Sequence, residues 1–326
     1  MRFLSYNSAS GPRPGVLLDA GHVLDLRTAV SASSEDAAEL NSMLSLIQAG
    51  QRGLDTVAEL LDKPCDEAVL ELAGLQLVAP LPVPEQIRDF ANYEGHCIKA
   101  MAASMRLRAA REEDPDAALK RMQDSGAYRL PPVWYEIPLY YKGNRFATNG
   151  HKGVVEWPPF AENLDYELEL AAVIGSRAKD VSKEDAPQHI FGYTIFNDFS
   201  ARDIQARWEG QFRMGPAKGK DFDTSNSFGP WIVTCDEIPD PYSLDMQVRV
   251  NGEVRGQGSS GGAQHDFAAC IAQLSRSETL YPGEIIGLGT IEGGCGFESL
   301  TWLNDGDVVE LEIEKIGVLE NRVVRI

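Results

Sequence analysis

The chain has 326 residues, 43% hydrophobic and 24% charged, which is the composition of an ordinary globular protein with a sizeable core and, by length, about two domains. Its 30 basic and 49 acidic side chains give a formal net charge of −19, a surface that repels phosphate backbones and anionic lipid, so neither nucleic acid nor membrane is expected as a partner. Five cysteines without a CxxC pair or a zinc-type spacing to histidine, a start that breaks into polar residues, and no apolar run of membrane-spanning length point to a reducing, cytoplasmic setting.

Residues 1–30 read as short strands, with Pro12-Arg13-Pro14-Gly15 as a turn and a second pair of strands around Ala20-Gly21. From Ser34 to about Glu59 apolar residues recur at three- and four-residue spacing (Leu40, Met43, Leu44, Ile47), which predicts helix with a break at Ala49-Gly50. Prolines at 80, 82 and 84 mark an extended connector, and a boundary there separates an N-terminal domain, 1–83, from a larger one, 84–326. His96 stands at the head of an amphipathic segment, Ile98 to about Arg111, close behind Asp89 and Glu94; it is either a packed or surface histidine or a site residue. The charged run Arg111–Asp116 reads as a solvated turn between two helices.

Asp165–Gly175 reads as a strand, and alternation puts Glu167 and Glu169 on one face with Leu168 and Leu170 on the other. Two carboxylates side by side repel unless water or a cation separates them, so this is either a solvated face of an edge strand or half of a hard-metal site. A second apolar strand ends in Asn197-Asp198 and runs into Arg202 and Gln205; Asp198 is a helix N-cap or a site acid. Lys220 follows in a polar loop, as a surface charge or a site residue. Beyond it come a strand at Trp231–Thr234, a type I′ hairpin across Asn251-Gly252, a short helix from Asp266 to Ser277, a strand from Ile285 to Thr290 and a C-terminal hairpin. The pattern is α+β, mainly β, and it contains no G-x-G-x-x-G or Walker motif for a nucleotide cofactor.

Four of these segments stand in one order: Tyr166–Gly175, Asn197–Gln205, Gly219-Lys220-Asp221-Phe222, and Leu280–Glu284 through Gly289-Thr290. In that order, over residues 85–326, the chain resembles the fumarylacetoacetate hydrolase family. The resemblance implies a mixed β-sandwich or β-roll, a homodimer, and one divalent cation, Mg²⁺ with Mn²⁺ or Ca²⁺ as alternatives. Position by position it implies Glu167, Glu169 and Asp198 as metal carboxylates, with Asp89 as a fourth acid. It implies His96 as a catalytic histidine, and Lys220, Arg202, Gln205, Tyr141 and Thr290 as residues that bind the substrate. An all-oxygen donor set suits a hard cation rather than zinc or copper.

The implied substrate is a small anionic keto acid of the 1,3-diketo or 2,4-diketo type. In the expected reaction His96, paired with a carboxylate, activates water for cleavage of a carbon–carbon bond, while the metal and Lys220 stabilise the enolate that leaves. Decarboxylation, keto–enol isomerisation or hydration on the same site is the alternative, and a non-catalytic acid-binding protein is a reading from another class. Where part of the family has a glutamate three residues after the histidine, this chain has Lys99. The resemblance implies Glu298 as the histidine's partner, since it matches the position used by the fumarylacetoacetate-cleaving branch, with Glu94 as the fallback. Lys142 and the residues near Trp208 and Arg213 are candidates for holding the far end of the substrate, and 97–129 is either a lid or a surface helical pair.

Overall fold

The computed structural model of the chain describes residues 1–33, 38–126, 129–206 and 215–326. Two β layers dominate it. The larger sheet has 12 strands, with a path that runs Val69–Glu71, His22–Asp25, Gly11–Leu17, Arg2–Ser8, Asn226–Thr234, Ile190–Asp198, Glu167–Ile174, Ile285–Cys295, Ile87–Phe90, Tyr140–Gly143. The smaller has 5 strands in the order Glu253–Ser259, Asp245–Val250, Val308–Ile313, Gly317–Arg325, Val154–Trp157. The fold is therefore α+β with more strand than helix, as the residue pattern indicates. Among the described residues no helix is long and apolar enough to cross a membrane.

Alternation along Glu167–Ile174 divides two cores. Leu168, Leu170, Ala172 and Ile174 pack into one with Met246, Val248, Leu311 and Ile313 of the smaller sheet. Ala171 and Val173 join the other, with Phe196, Phe228 and the N-terminal residues Leu40, Met43, Leu46 and Ile47. Glu167 and Glu169 thus share a face, but it is not a solvated one. All eight residues of the strand are buried, and it lies inside the sheet, antiparallel to Ile190–Asp198 on one side and Ile285–Cys295 on the other. The edge-strand reading fails because both ladder edges are occupied.

The N-terminal segment extends the same sheet through the pairs Arg2↔Val233 and Phe3↔Ile232. The turn expected at Pro12–Gly15 is instead the strand Gly11–Leu17, and the chain reverses at Ala9-Ser10, where Ser8 Oγ donates to the Gly11 carbonyl at 2.7 Å. Only Gly15–Leu17 of that strand pairs outward, so Pro12 and Pro14 sit on a free edge where their missing N–H groups cost nothing. Other local signals behave as read. Gly50, at φ +58°, separates helices Met43–Ala49 and Gln51–Asp62, and the Asn251-Gly252 turn has φ of 53° and 79° as a type I′ hairpin demands. Asp114 caps helix Pro115–Asp124, which pairs with helix Glu94–Ala109, so the charged run is the turn between two helices.

Candidate active site

Three strands of the larger sheet deliver the acids, with Ile285–Cys295 lying between two of them. Ile87–Phe90 runs parallel to Ile285–Cys295 with Asp89 opposite Gly287, and Glu169 lies opposite Thr290 across the next ladder. The register of that ladder slips on both sides of Glu169, an irregularity of the kind that re-aims side chains at sites. Asp89, Glu169 and Asp198 are buried, and their carboxylate oxygens converge within 4.8 Å of one another. Each keeps one buried oxygen without a hydrogen-bond partner: Asp89 Oδ1, Glu169 Oε2 and Asp198 Oδ1. Burial, then the charge of Asp198 and Glu167, pushes the Asp89 carboxyl up to about 8. Burial and the facing Asp89 hold Glu169 well above the usual carboxylate range, and burial lifts Asp198 to about 6 against the pull of Lys220. Three such acids with three bare oxygens form a cradle for a cation, and oxygen donors select a hard one.

Glu167, read from the sequence beside Glu169 as a metal acid, is engaged differently. Arg202 Nη2 donates to its Oε1 at 2.6 Å and Lys220 Nζ to its Oε2 at 2.5 Å. Burial would raise its pKa, but Arg202 and Lys220 outweigh that and hold it below the ordinary range. Lys220 also bonds Asp198, Tyr141 donates to Asp198 Oδ2 at 2.5 Å, and Thr290 donates to Glu169 Oε1 at 2.9 Å. Gln205 accepts from Arg202 Nη1 at 3.1 Å.

His96 lies on the first turn of helix Glu94–Ala109, and its Nδ1 is 2.8 Å from Glu298 Oε1. Glu298 is held in turn by the Gly293 N–H, 3.1 and 3.0 Å from its two oxygens. Of the two candidate partners the geometry gives His96 to Glu298. Glu94 is exposed and accepts from the Tyr135 hydroxyl instead. A carboxylate on Nδ1 fixes the tautomer with the proton there and leaves Nε2 free to take a proton.

These groups open on a cavity of about 330 Å³ lined by Asp89, His96, Tyr141, Glu167, Arg202, Gln205, Lys220 and Thr290, with Phe90 and Leu139 as its apolar wall. That volume suits a small molecule. Lys142 contacts Glu278 and does not line the cavity, while Trp208 and Arg213 lie outside the described residues. One buried residue escaped the sequence reading. Asp165 accepts from Arg202 Nε at 2.8 Å, from the Gly296 N–H at 2.8 Å and from the Phe297 N–H at 3.0 Å. Its only sequence signal is its place two residues before Glu167.

A carboxylate cradle, a His–Glu pair and a buried lysine stand together on a mixed β fold, the residue types of an enzyme that works on small molecules. The chain belongs to the fumarylacetoacetate hydrolase family: the "Fumarylacetoacetate (FAA) hydrolase C-terminal" family matches residues 87–324. It is 30% identical over 331 residues to the oxaloacetate tautomerase fahd2 of Xenopus laevis, covering 99% of this chain and 90% of that one. With the oxaloacetate tautomerase YisK of Bacillus subtilis it shares 32% identity over 318 residues, 95% of each chain. Among solved structures, a fumarylacetoacetate hydrolase from Exiguobacterium antarcticum superposes with a TM-score of 0.73 at 28% identity, over all of both chains.

Proposed function

We propose that the protein moves a proton between carbon and oxygen on a small 2-oxo dicarboxylic acid of the oxaloacetate type, interconverting its keto and enol forms. The observation that carries this is the 2.8 Å contact of His96 Nδ1 with Glu298, which leaves Nε2 as a base beside the acidic cradle. The two relatives of nearly equal length, both named oxaloacetate tautomerases, support it.

Asp89, Glu169 and Asp198 are the residues that would hold a divalent cation, Mg²⁺ by hardness and Mn²⁺ or Ca²⁺ by donor type, while Glu167 keeps its two oxygens on Arg202 and Lys220. Such a cation supplies Lewis acidity toward the 2-oxo and carboxylate oxygens of the substrate. The chain's own residues do the rest. His96 Nε2 removes the C3 proton, the C–H electron pair becomes the C2–C3 double bond, and the charge that builds on the C2 oxygen faces the ammonium of Lys220. The proton taken by His96 Nε2 passes to that oxygen by way of solvent, which completes the enol and restores the base, and the reverse sequence returns the keto acid. Arg202 and Gln205 orient the far carboxylate, and Tyr141 donates to Asp198 and fixes its direction.

In D₂O, the Mg²⁺-loaded protein should exchange the C3 protons of oxaloacetate, followed by NMR, well above the rate given by Mg²⁺ alone, and His96→Gln should return it to that rate. Exchange no faster than the metal control would reject the proposal. Hydrolysis of a diketo acid is the second reading, favoured by the same Glu298-oriented histidine, which could equally take a proton from water. Two acids appearing from an acylpyruvate, with no accelerated exchange on oxaloacetate, would select it.

A further inference from the structure

The acidic cradle uses only oxygen, yet a second cluster of a different chemical kind lies beside it. Cys295 ends the strand Ile285–Cys295, opposite Glu167, and is buried. Its Sγ is 3.8 Å from His96 Nδ1, on the nitrogen that also meets Glu298 at 2.8 Å, and one ligand atom from each of the three residues falls within 4.8 Å of the others. Neither the base role of His96 nor the oxygen cradle explains a thiol at that nitrogen.

We infer that His96, Cys295 and Glu298 form a site for a thiophilic divalent ion, zinc or cadmium, whose binding disarms the catalytic base. Zinc takes imidazole nitrogen and carboxylate oxygen at about 2.0–2.1 Å and thiolate sulfur at about 2.3 Å in a tetrahedral array. Ligand atoms around such a centre stand roughly 3.3 Å apart for nitrogen and oxygen and roughly 3.6 Å for nitrogen and sulfur. The observed 3.8 Å separation of sulfur and nitrogen needs almost no adjustment, and the 2.8 Å contact of nitrogen and oxygen must open by about 0.5 Å. Lys99, whose Nζ is 3.7 Å from Glu298 Oε2, is already matched by Glu292 at 2.8 Å. The soft donors separate the two sites: N/S/O attracts zinc or cadmium, and the all-oxygen cradle keeps magnesium.

Binding has a defined proton balance. The thiol proton leaves to solvent as sulfur becomes a thiolate ligand, and the Nδ1 proton is exchanged for one on Nε2 as Nδ1 takes the metal. Nε2–H cannot accept a proton from substrate. Inhibition should therefore lower kcat without competing with substrate, a consequence that rests on the base role proposed for His96.

The test is a Cd²⁺ and Zn²⁺ titration of the Mg²⁺-loaded protein, reading thiolate-to-cadmium charge-transfer absorbance and proton release beside turnover. One Cd²⁺ per chain with a charge-transfer band, and loss of turnover over the same concentrations, is the expected result. Cys295→Ser and Cys295→Ala should each abolish the band and raise the half-inhibiting concentration at least about tenfold, while Cys97→Ser keeps both. Inhibition without a band, relieved by added Mg²⁺, would place the ion in the oxygen cradle and overturn the inference, as would a band that survives loss of Cys295. A Cys295-dependent band with unchanged turnover would support the metal site and overturn the base role of His96 instead.

Discussion

Asp165 and Arg202 are locked at two points, with Nε and Nη2 of the arginine each 2.8 Å from Asp165 Oδ2. The same carboxylate accepts the N–H groups of Gly296 and Phe297, the two residues before Glu298. One buried acid therefore ties the cavity-lining guanidinium to the loop that carries the histidine's partner. Asp165→Asn keeps one acceptor oxygen but loses the charge, which should cost about 1–3 kcal/mol of stability. It should also raise KM and lower kcat together, because both ends of the tie slacken. Denaturant melts and steady-state kinetics check this; a variant that loses stability alone would make Asp165 a purely structural residue.

Glu298→Gln probes orientation rather than binding. The Gly293 N–H meets both carboxylate oxygens, so the amide of a glutamine has to turn its NH₂ away from Gly293 or face it as a second donor. In the first case the NH₂ faces His96 and the imidazole loses its acceptor; in the second the acceptor stays but the negative charge that holds the proton on Nδ1 is gone. The expected outcome is a fall in kcat of ~10² to 10⁴ with KM little changed. Glu94→Gln, at an exposed residue bonded to Tyr135, should leave turnover within about twofold, as exposed substitutions usually do.

The chain carries an acid-sensitive histidine away from the site. His151 Nδ1 accepts the Glu320 N–H at 3.1 Å. Burial first, then the charge of Lys152, pulls the imidazole down to about 4, against the opposing hydrogen bond to the Val318 backbone. A folded-state pKa below the unfolded one means that the unfolded chain takes up a proton first. The stabilisation is complete above the unfolded value of about 6.5, is lost as pH falls toward about 4, and changes no further below that. Melting temperatures at about pH 7.5 and about pH 5 should differ less in His151→Gln than in the wild type. Equal differences would show that His151 does not contribute to acid sensitivity.

Local signals were legible wherever they reach their cause within a few residues. The alternation of Glu167 and Glu169, the helix behind His96 and the Asn251-Gly252 turn are all of this kind. What sequence could not carry is register. Asp89 joins Glu169 and Asp198 because its short strand pairs in parallel opposite Gly287, a contact between residues about 200 apart in the chain. Glu167 points along the same face as Glu169 yet is taken by Arg202 and Lys220, and alternation is blind to what a face meets. The burial of that face likewise depends on the neighbouring strands. The turn expected at Pro12–Gly15 failed for a related reason, since two prolines fit a strand whose outer edge is unpaired there.

Gly287 offers the sharpest check on the cradle itself. A Cβ at that position would stand 2.5 Å from Asp89 Oδ1, 2.9 Å from Glu169 Oε2 and 3.0 Å from Phe196, against the two bare oxygens themselves. If these acids hold a cation, Mg²⁺ or Mn²⁺ at ~100 times its Kd should stabilise the wild type by ~2.7 kcal/mol relative to a chelator-treated sample. Gly287→Ala pushes the carboxylates apart without removing either, and should weaken that binding at least about tenfold, shrinking the thermal shift at fixed metal concentration. Because alanine adds no polar group, any loss of binding reports on carboxylate geometry. A wild type whose melting temperature ignores both metals would instead mean that the acids are neutralised by protons and by Lys220, and that proton transfer in this cavity proceeds without a resident cation.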